Sequence, residues 1–514
     1  MAYQLLAFVN PRLPRLAWLA AVDRAAGLVR VTHGPAVELG PDWLVEGVWE
    51  GDFSAGQFHR AENFFGSGIR VEGDAVHFVP STASIDRLLY CELDGQALIS
   101  NSLPLMLART GAQLSDSHDY WRECLSIIKG VDRYDRRFAV VHPELDHLEQ
   151  VFYENIVISA GPTRYDLRIQ HHEINGFEHY VASLLGILGR VKANAADPVR
   201  AHAFAFYSTL SQGYDSAAVA ALVRALGVTD SFTGHPVRLP LEGLLPPTWQ
   251  EDARAIGRQL GLNVIWLDDR RQSVGPDEIY YLSTNYPKHH SGHWFEISFH
   301  TMANHIAGSG KLGLVFTGNH GDTVWDANTP ERHLAYHIRR GCLTGLNQTE
   351  IRLKAGYITL PAPFIWAQDI LKIRALTLSP EMEPWRIHTD YDRPIPRRIL
   401  EEAGVERGLF GFDKKFICAR AMWPIQPDLR RDFLAYLRRE RGLPAWLVFL
   451  EYGKHLAATK SVLKTVFHRE LARKENLFLD PDVDLFYEMV HWGTRTLTER
   501  TAGILAEGPA AGRP

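Results

Sequence analysis

Residues 204–221, FAFYSTLSQGYDSAAVAA, constrain the fold more than any other stretch of this chain. An apolar, strand-forming run stops at the polar segment SQGYDS, residues 211–216, and an alanine-rich helical segment follows it. A strand, a tight loop and a helix start in this order direct backbone N–H groups and a helix N-terminus at one point, which suits a phosphate group. The sequence therefore predicts a nucleotide-binding loop at residues 211–216.

The alternation of strand and helix continues beyond this loop. Strands are expected at residues 203–209, 230–234, 263–267 and 313–317, and helices at residues 216–225 and 248–260. Such alternation predicts a parallel sheet with helices on both faces, and ligands of these sheets bind at the carboxyl ends of the strands. The polar loops at residues 211–216 and 318–322 each follow a strand directly. We expect them to face each other across one cleft.

The chain before this region has a different pattern, so the expected class is α/β with two domains. Residues 1–170 show short, nearly alternating apolar runs that predict a β-rich domain. Those runs lie at residues 5–9, 28–31, 75–79, 87–91, 98–101 and 151–152. Residues 171–198 should form a helix, at 175–192, and a linker. Residues 199–505 should form the second domain, mostly helical after Trp325, and residues 506–514 a disordered tail.

Composition excludes several classes of function. The 514 residues are 46% hydrophobic and 22% charged with a net charge of −5, so a nucleic-acid partner is not expected. The four cysteines are far apart, which indicates no disulfide framework and a cytoplasmic location. No window reaches the roughly 18 apolar residues of a membrane helix, so no membrane partner is expected. The histidine-rich residues 288–293 have irregular spacing and are interpreted as a loop rather than a metal site. The oligomeric state is left open.

The residue types in the loop at 211–216 fit phosphate chemistry. Gly213 allows close backbone approach, the hydroxyls of Ser211 and Ser216 are donors, and Asp215 is a suitable magnesium ligand. A plain strand-to-helix turn with Ser216 as the N-cap is the alternative.

With its surroundings, this loop resembles the SGGxDS pyrophosphate loop of N-type ATP pyrophosphatases, in particular the asparagine synthetases and β-lactam synthetases. Four further stretches agree with that family in order and spacing. They are SFTG at residues 231–234, EDAR at 251–254, VFTGNHGD at 315–322 and LFGFDKK at 409–415. Gln212 stands where the family has its first glycine, and His320 where asparagine synthetases have another. Asn319 and Thr323 also depart from the family pattern.

The resemblance implies ATP and Mg²⁺ as cofactors and assigns roles to individual residues. Lys414 or Lys415 would stabilise an oxyanion, His320 would act as a general base, and Asp215 and Asp322 would bind magnesium. The nucleotide would contact Ser211, Gln212, Gly213, Asp215, Ser216, Thr233, Gly234, Thr317 and Gly318.

The N-terminal part contains GDF at residues 51–53, IDRLLY at 85–90 and ISNS at 99–102. With these stretches it weakly resembles the class II glutamine amidotransferase domain that precedes the synthetase domain in this family. That domain uses an N-terminal cysteine, but Ala2 and Tyr3 stand here and the nearest cysteine is Cys91. Glutamine is therefore not expected to be the nitrogen donor. β-Lactam synthetases and lasso-peptide macrolactam synthetases also lack this cysteine, and their amine comes from the substrate. The expected function is an AMP-forming amide synthetase acting on a small-molecule or peptide substrate with a carboxylate and an amine. The alternative is a catalytically degenerate scaffold that binds a partner or peptide.

Overall fold

The computed structural model describes residues 2–118, 120, 126–234, 252–267, 297–329, 348–411, 427–451 and 485–507. Within these ranges the chain is mixed α/β, with one mixed and one antiparallel sheet followed by one parallel sheet. None of the helices in these ranges is both long and apolar enough to cross a membrane.

Thirteen strands form the first two sheets. They are β1 Gln4–Val9, β2 Trp18–Asp23, β3 Leu28–His33, β4 Glu38–Leu39, β5 Trp43–Trp49, β6 Phe64–Glu72, β7 Ala75–Val79, β8 Leu88–Leu93, β9 Gln96–Ser100, β10 Arg137–Ala139, β11 His147–Val151, β12 Asn155–Ile158 and β13 Arg164–Asp166. One sheet has the order β1-β3-β2-β9-β8-β11-β10 and the other β13-β12-β7-β6-β5-β4. Strand β1 runs parallel to β3, and the other pairs are antiparallel.

The two sheets pack as a sandwich, because apolar side chains from both belong to one buried cluster. Every apolar run predicted in this part overlaps a strand. The sequence did not predict β2, β4, β5, β6, β10, β12 or β13. Of these, β6 contains Gly66 and Gly68, residues that usually weaken strands. A Cβ at Gly66 would lie 2.1 Å from the Glu46 carbonyl oxygen, and one at Gly68 would lie 2.7 Å from the Phe58 ring. Close packing therefore requires glycine at both positions.

The helices are, in chain order, α1 Leu103–Thr110, α2 Phe177–Ala195, α3 Tyr214–Ala225, α4 Arg254–Gln259, α5 Ile297–Gly308, α6 Gly321–Val324, α7 Thr349–Ala355, α8 Ile370–Thr377, α9 Pro394–Glu402, α10 Pro427–Glu440 and α11 Leu485–Ala506. Short 3-10 helices occur at Phe58–Arg60, Ser126–Lys129, Ala362–Phe364, Ala367–Asp369, Pro380–Trp385 and Arg407–Leu409. Helix α2, predicted at residues 175–192, buries Tyr180, Leu184 and Leu188 along one face and contacts both β5 and α3. It therefore connects the sandwich with the second half of the chain.

The third sheet contains β14 Phe204–Thr209, β15 Asp230–Gly234, β16 Asn263–Leu267, β17 Leu312–Thr317 and β18 Tyr357–Pro361. Its order is β16-β15-β14-β17-β18, and all four pairings are parallel. The four predicted strands are confirmed, and β18 was missed. Since β18 is a fully buried run that ends at a proline, it lacks the alternation that reveals a strand. The strand order reverses between β14 and β17, which is where ligands bind in such sheets.

Helix α3 covers the point where the strand order reverses. Its buried face is made largely of small residues, Ala217, Ala218, Ala220 and Ala221, and it contacts both β14 and β17. Small side chains bring the helix close to both strands. Its N-terminus therefore lies beside the carboxyl ends of β14 and β17.

A buried ion cluster joins the sandwich to helix α7. Nη1 and Nη2 of Arg352 donate to the two oxygens of Glu46 at 2.7 and 3.1 Å, and Nε lies 3.3 Å from a carboxylate oxygen of Asp86. Beside it, the Glu350 carboxylate accepts hydrogen bonds from the Ser102 hydroxyl and the Leu103 N–H at the start of α1. Burial is the main cause that raises the pKa of Glu350, to about 7.

Candidate functional site

The loop after β14 is closed by its own hydroxyl groups. The Ser211 hydroxyl accepts a hydrogen bond from the Gly213 N–H at 3.2 Å and lies 2.5 Å from the Ser216 hydroxyl. Helix α3 begins at Tyr214 with Gly213 as its N-cap, and this cap has no side-chain hydrogen bond. The interpretation of Ser216 as the N-cap is wrong, because Ser216 lies in the first helical turn and its hydroxyl meets Ser211. No side chain of the loop therefore caps the helix.

The loop after β17 packs directly against the first loop. A Cβ at Gly318 would lie 2.3 Å from the Ser216 backbone nitrogen, and one at Gly321 would lie 2.5 Å from Cγ of Asp215. Both distances are below any normal contact, so the two glycines let the backbones touch. The two polar loops predicted to face each other are brought together.

One buried arginine in this cleft pairs with Asp215 and is also influenced by the charge of Asp322. Nη1 of Arg393, which precedes α9, donates to Asp215, and the Arg393 side chain is 3% exposed against 19% for Asp215. Burial lowers the pKa of Arg393, but the charges of Asp215, Tyr391 and Asp322 raise it by more, so its pKa lies above the ordinary value. The interaction of Arg393 with both Asp215 and Asp322 places the two predicted magnesium ligands in one electrostatic cluster.

The two strands on either side of β14 carry buried threonine hydroxyls near their carboxyl ends. The Thr233 side chain of β15 and the Thr317 side chain of β17 are buried, and neither hydroxyl has a hydrogen-bond partner among the described residues. Buried hydroxyls normally have partners, so these two are suited to a bound polar group. Gly234 is the last residue of β15. A Cβ at this position would lie 2.5 Å from the Leu267 carbonyl oxygen, so the glycine lets β15 pack closely against β16.

A segment that sequence reasoning did not assign to the site supports the first loop. The Tyr391 hydroxyl accepts a hydrogen bond from the Tyr214 N–H at 3.4 Å, and Arg397 donates to the Tyr214 hydroxyl. Burial raises the pKa of Tyr214, and Arg397 opposes this effect. Pro394 begins helix α9 directly after this segment, but nothing in the sequence says which loop Arg393 meets.

The predicted lysines lie outside the described residues. Lys414 and Lys415 belong to residues 412–426, and the last described residue before them is Gly411. The Gly411 N–H donates to the Gln212 carbonyl at 2.9 Å. Gly411 has φ +74°, and a Cβ there would lie 2.3 Å from the Tyr214 ring. The chain therefore passes the loop at residues 211–216 immediately before the two lysines. The histidine-rich residues 288–293 also lie outside the described residues.

His320 has an unusual backbone for its residue type. It lies between β17 and α6 with φ 71°, a left-handed conformation that favours glycine. Its side chain is buried, and its ring centroid is 4.9 Å from that of Phe364. A glycine would adopt this backbone conformation without strain, whereas a histidine here carries strain of about 1 kcal/mol or more.

The sandwich has one described cysteine. Cys91 is buried, and burial raises its pKa to about 12. A thiol with a raised pKa is a poor nucleophile at neutral pH. Among the described residues the sandwich therefore offers no activated thiol for glutamine hydrolysis.

Comparisons with known proteins give no family for the chain. A scan against protein-family models finds no match, and a search of curated proteins finds none either. The geometry of the cleft is therefore the basis for any functional conclusion.

Proposed function

We propose that this chain is an ATP-dependent, AMP-forming amide synthetase that couples a substrate carboxylate to a substrate amine. The observation that carries the proposal is the contact between the loops after β14 and β17, which brings Asp215, Asp322 and Arg393 together where the strand order reverses. The resemblance to asparagine and β-lactam synthetases adds the substrate class. Neither the carboxylate nor the amine is specified.

The residues fit a magnesium nucleotide on chemical grounds. Carboxylate oxygens are the ligands that Mg²⁺ prefers, and Asp215 and Asp322 would hold it. Two carboxylates and one guanidinium have a net charge of −1, which attracts a cation. Bound Mg²⁺ would neutralise charge on the pyrophosphate leaving group. The hydroxyls of Thr233 and Thr317 provide hydrogen-bond donors for the nucleotide.

The proposed reaction has two steps. A carboxylate oxygen attacks the α-phosphorus of ATP, the bond to the bridging oxygen breaks, and pyrophosphate leaves into the loop at residues 211–216. The amine then attacks the acyl carbon, loses a proton and expels AMP. The N–H groups at the start of α3 and the hydroxyls of Ser211 and Ser216 would bind the pyrophosphate. His320 is proposed as the base, and Lys414 or Lys415 would stabilise the oxyanion of the second step.

Nucleotide binding tests this proposal without knowledge of the substrate. Binding of a non-hydrolysable ATP analogue with Mg²⁺ is measured by calorimetry for the wild type, Asp215→Asn and Asp322→Asn. Asp230→Asn is the matched control, because Asp230 begins β15 at the opposite end of the same sheet and pairs with Asn263 at 2.9 Å. We expect magnesium-dependent binding that both cleft variants lose and the control keeps. No binding at millimolar nucleotide would refute the proposal.

The alternative is a scaffold that binds a peptide and no nucleotide. The ion pair between Arg393 and Asp215 favours it, because a guanidinium already neutralises the carboxylate. Product analysis separates the two functions. An enzyme releases AMP and pyrophosphate with one member of a panel of carboxylates and amines, and Asp322→Asn abolishes that release.

A further inference from the structure

Three potential metal ligands meet on the sandwich, away from the cleft. His59 lies in the 3-10 helix Phe58–Arg60, Glu72 ends β6, and His77 lies in β7. One ligand atom from each lies within 4.8 Å of the others. Strands β6 and β7 pair with Arg70 opposite His77, so Glu72, two residues beyond Arg70, shares the face of His77. The hairpin itself therefore brings the carboxylate and this imidazole together.

Three of the four imidazole nitrogens of this cluster have no hydrogen-bond partner in the part of the chain that the structure describes. His59 is buried, yet neither of its ring nitrogens has a hydrogen-bond partner among the described residues, and neither has Nδ1 of His77. The closest contact of the His59 ring is Nε2 to Oε2 of Glu72, at 3.4 Å, and the two imidazole centroids are 4.9 Å apart. Buried imidazole nitrogens normally have a partner. A shared ion would satisfy all three side chains at once.

The backbone around His59 is held by side chains from elsewhere in the sandwich. The His59 carbonyl accepts from Nδ2 of Asn155 at 2.8 Å, and Arg168 donates to the carbonyls of Phe58 and Ala61. Arg60 contacts both oxygens of Glu72 at 2.7 and 2.8 Å, which fixes the carboxylate. A site whose ligands are already positioned loses little conformational entropy when it binds a ligand.

The ligand types of this cluster suit a cation. Two imidazole rings and one carboxylate lie together, and a metal ion binds imidazole in its neutral form and carboxylate in its ionised form.

We propose that His59, Glu72 and His77 bind one divalent transition-metal ion of the zinc class, with a fourth position left to water or another ligand. Two imidazoles and a carboxylate are a known ligand set for Zn²⁺ with an open site. The hard Mg²⁺ and Ca²⁺ ions prefer all-oxygen ligands and are excluded by the two nitrogens. The site is independent of the cleft, and it stands whether or not the chain binds ATP.

Zinc titration of the full chain tests the proposal. The protein is stripped with a chelator, and Zn²⁺ is then titrated in competition with a chromophoric chelator. The wild type should bind one tight equivalent. Glu72→Gln and His77→Gln should weaken it by at least about tenfold, since even partners outside the coordination shell cost 10–100-fold in metal affinity. Co²⁺ in place of Zn²⁺ should give visible absorption that both variants lose.

Two controls separate this site from others. Glu92→Gln removes a carboxylate that, like Glu72, lies on a strand and pairs with an arginine, here Arg24 at 3.0 Å. This variant should still bind one equivalent of Zn²⁺. His289→Gln, His290→Gln and His293→Gln combined should also leave it intact. Unfolding midpoints in chelator identify a variant that fails to fold, and the partly exposed Glu72 makes its variant the safer of the two.

Either of two outcomes of this titration would exclude the proposal. It is wrong if the stripped wild type binds no equivalent of Zn²⁺. It is also wrong if a tight equivalent persists in Glu72→Gln and His77→Gln and disappears only in the combined histidine variant. Zn²⁺ should in addition raise the thermal midpoint of the wild type and of Glu92→Gln but not that of Glu72→Gln.

Discussion

Two buried arginines each interact with a pair of carboxylates, but their surroundings differ. Arg352 binds both oxygens of Glu46, and that carboxylate also accepts from the Ser67 hydroxyl at 2.6 Å, while Thr349 donates to Asp86 at 2.9 Å. The side chains of Glu46 and Asp86 are 0% and 8% exposed. Arg393 donates to Asp215, whose side chain is 19% exposed and lies in a cleft.

The difference separates a structural cluster from a binding cluster. Donors of the protein surround the carboxylates at Arg352, and burial raises the pKa of Glu46 despite the attraction of Arg352. Such a cluster connects the sandwich to α7 and offers no access to a ligand. The carboxylates near Arg393 lie between the two loops at the carboxyl ends of β14 and β17. An incoming cation can compete with the guanidinium there.

Removing Arg352 should have the largest effect on stability. Arg352→Met leaves Glu46 and Asp86 buried without their cation, and we expect it to lower the free energy of unfolding by about 3–5 kcal/mol. Urea unfolding followed by circular dichroism measures this loss. Arg137→Met, which breaks an exposed pair with Asp146, is the control and should change little. Equal losses in the two variants would show that the cluster is not structural.

Glu350 should make this structural region sensitive to pH. Its pKa is about 7 in the folded chain against 4.5 ordinarily, so between those values the folded state holds a proton that the unfolded state has lost. Stability from this group is therefore full below about pH 4.5 and falls as pH rises to about 7, by at most roughly 3 kcal/mol at about 1.4 kcal/mol per pKa unit. The difference in stability between wild type and Glu350→Gln, measured across this range, should show the slope. A difference that does not change with pH would contradict the assignment.

The cluster at Arg393 should respond to magnesium. Arg393→Met removes the guanidinium that pairs with Asp215, and the partial exposure of Asp215 limits the loss of stability to about 1–2 kcal/mol. Mg²⁺ should raise the thermal midpoint of this variant more than that of the wild type, because it replaces the lost charge. Arg398→Met, in the helix α9 that follows Arg393 and paired with Glu178 and Glu402, is the control without a magnesium response. If Mg²⁺ affects all three proteins equally, Asp215 and Asp322 do not form a cation site.

His320 should affect chemistry more than stability. His320→Gly relieves about 1 kcal/mol of backbone strain but leaves space beside Phe364, so the net change in stability should stay within about 1 kcal/mol. Amide formation should fall at least about 100-fold if His320 is the base. His388→Gly is the matched control, because His388 has φ 53° and an exposed ring. Unchanged turnover in His320→Gly would remove His320 from the mechanism.

The strands and loops that form the cleft could be predicted from the sequence, whereas the side-chain contacts of Arg352 and Arg393 could not. Periodicity located β14 to β17 and both loops, because each strand is a short apolar run next to a polar segment. It did not locate β18, and it missed seven strands of the first two sheets, among them β6, which has glycines where its neighbours pack closely. Arg393 reaches Asp215 through tertiary folding alone, and no local pattern encodes that contact. The same holds for His59, whose two partners lie in a hairpin that it does not belong to.

The strand order has a consequence for how the cleft comes into existence. Residues 211–216 and 318–322 follow strands that are neighbours in the sheet and distant in the chain. No single strand-loop-helix unit contains both carboxylates, so a fragment that ends before β17 carries only half of the site. Nucleotide binding would then report completion of the sheet, and a ligand added during refolding would act only after the slow, long-range pairing of β14 with β17.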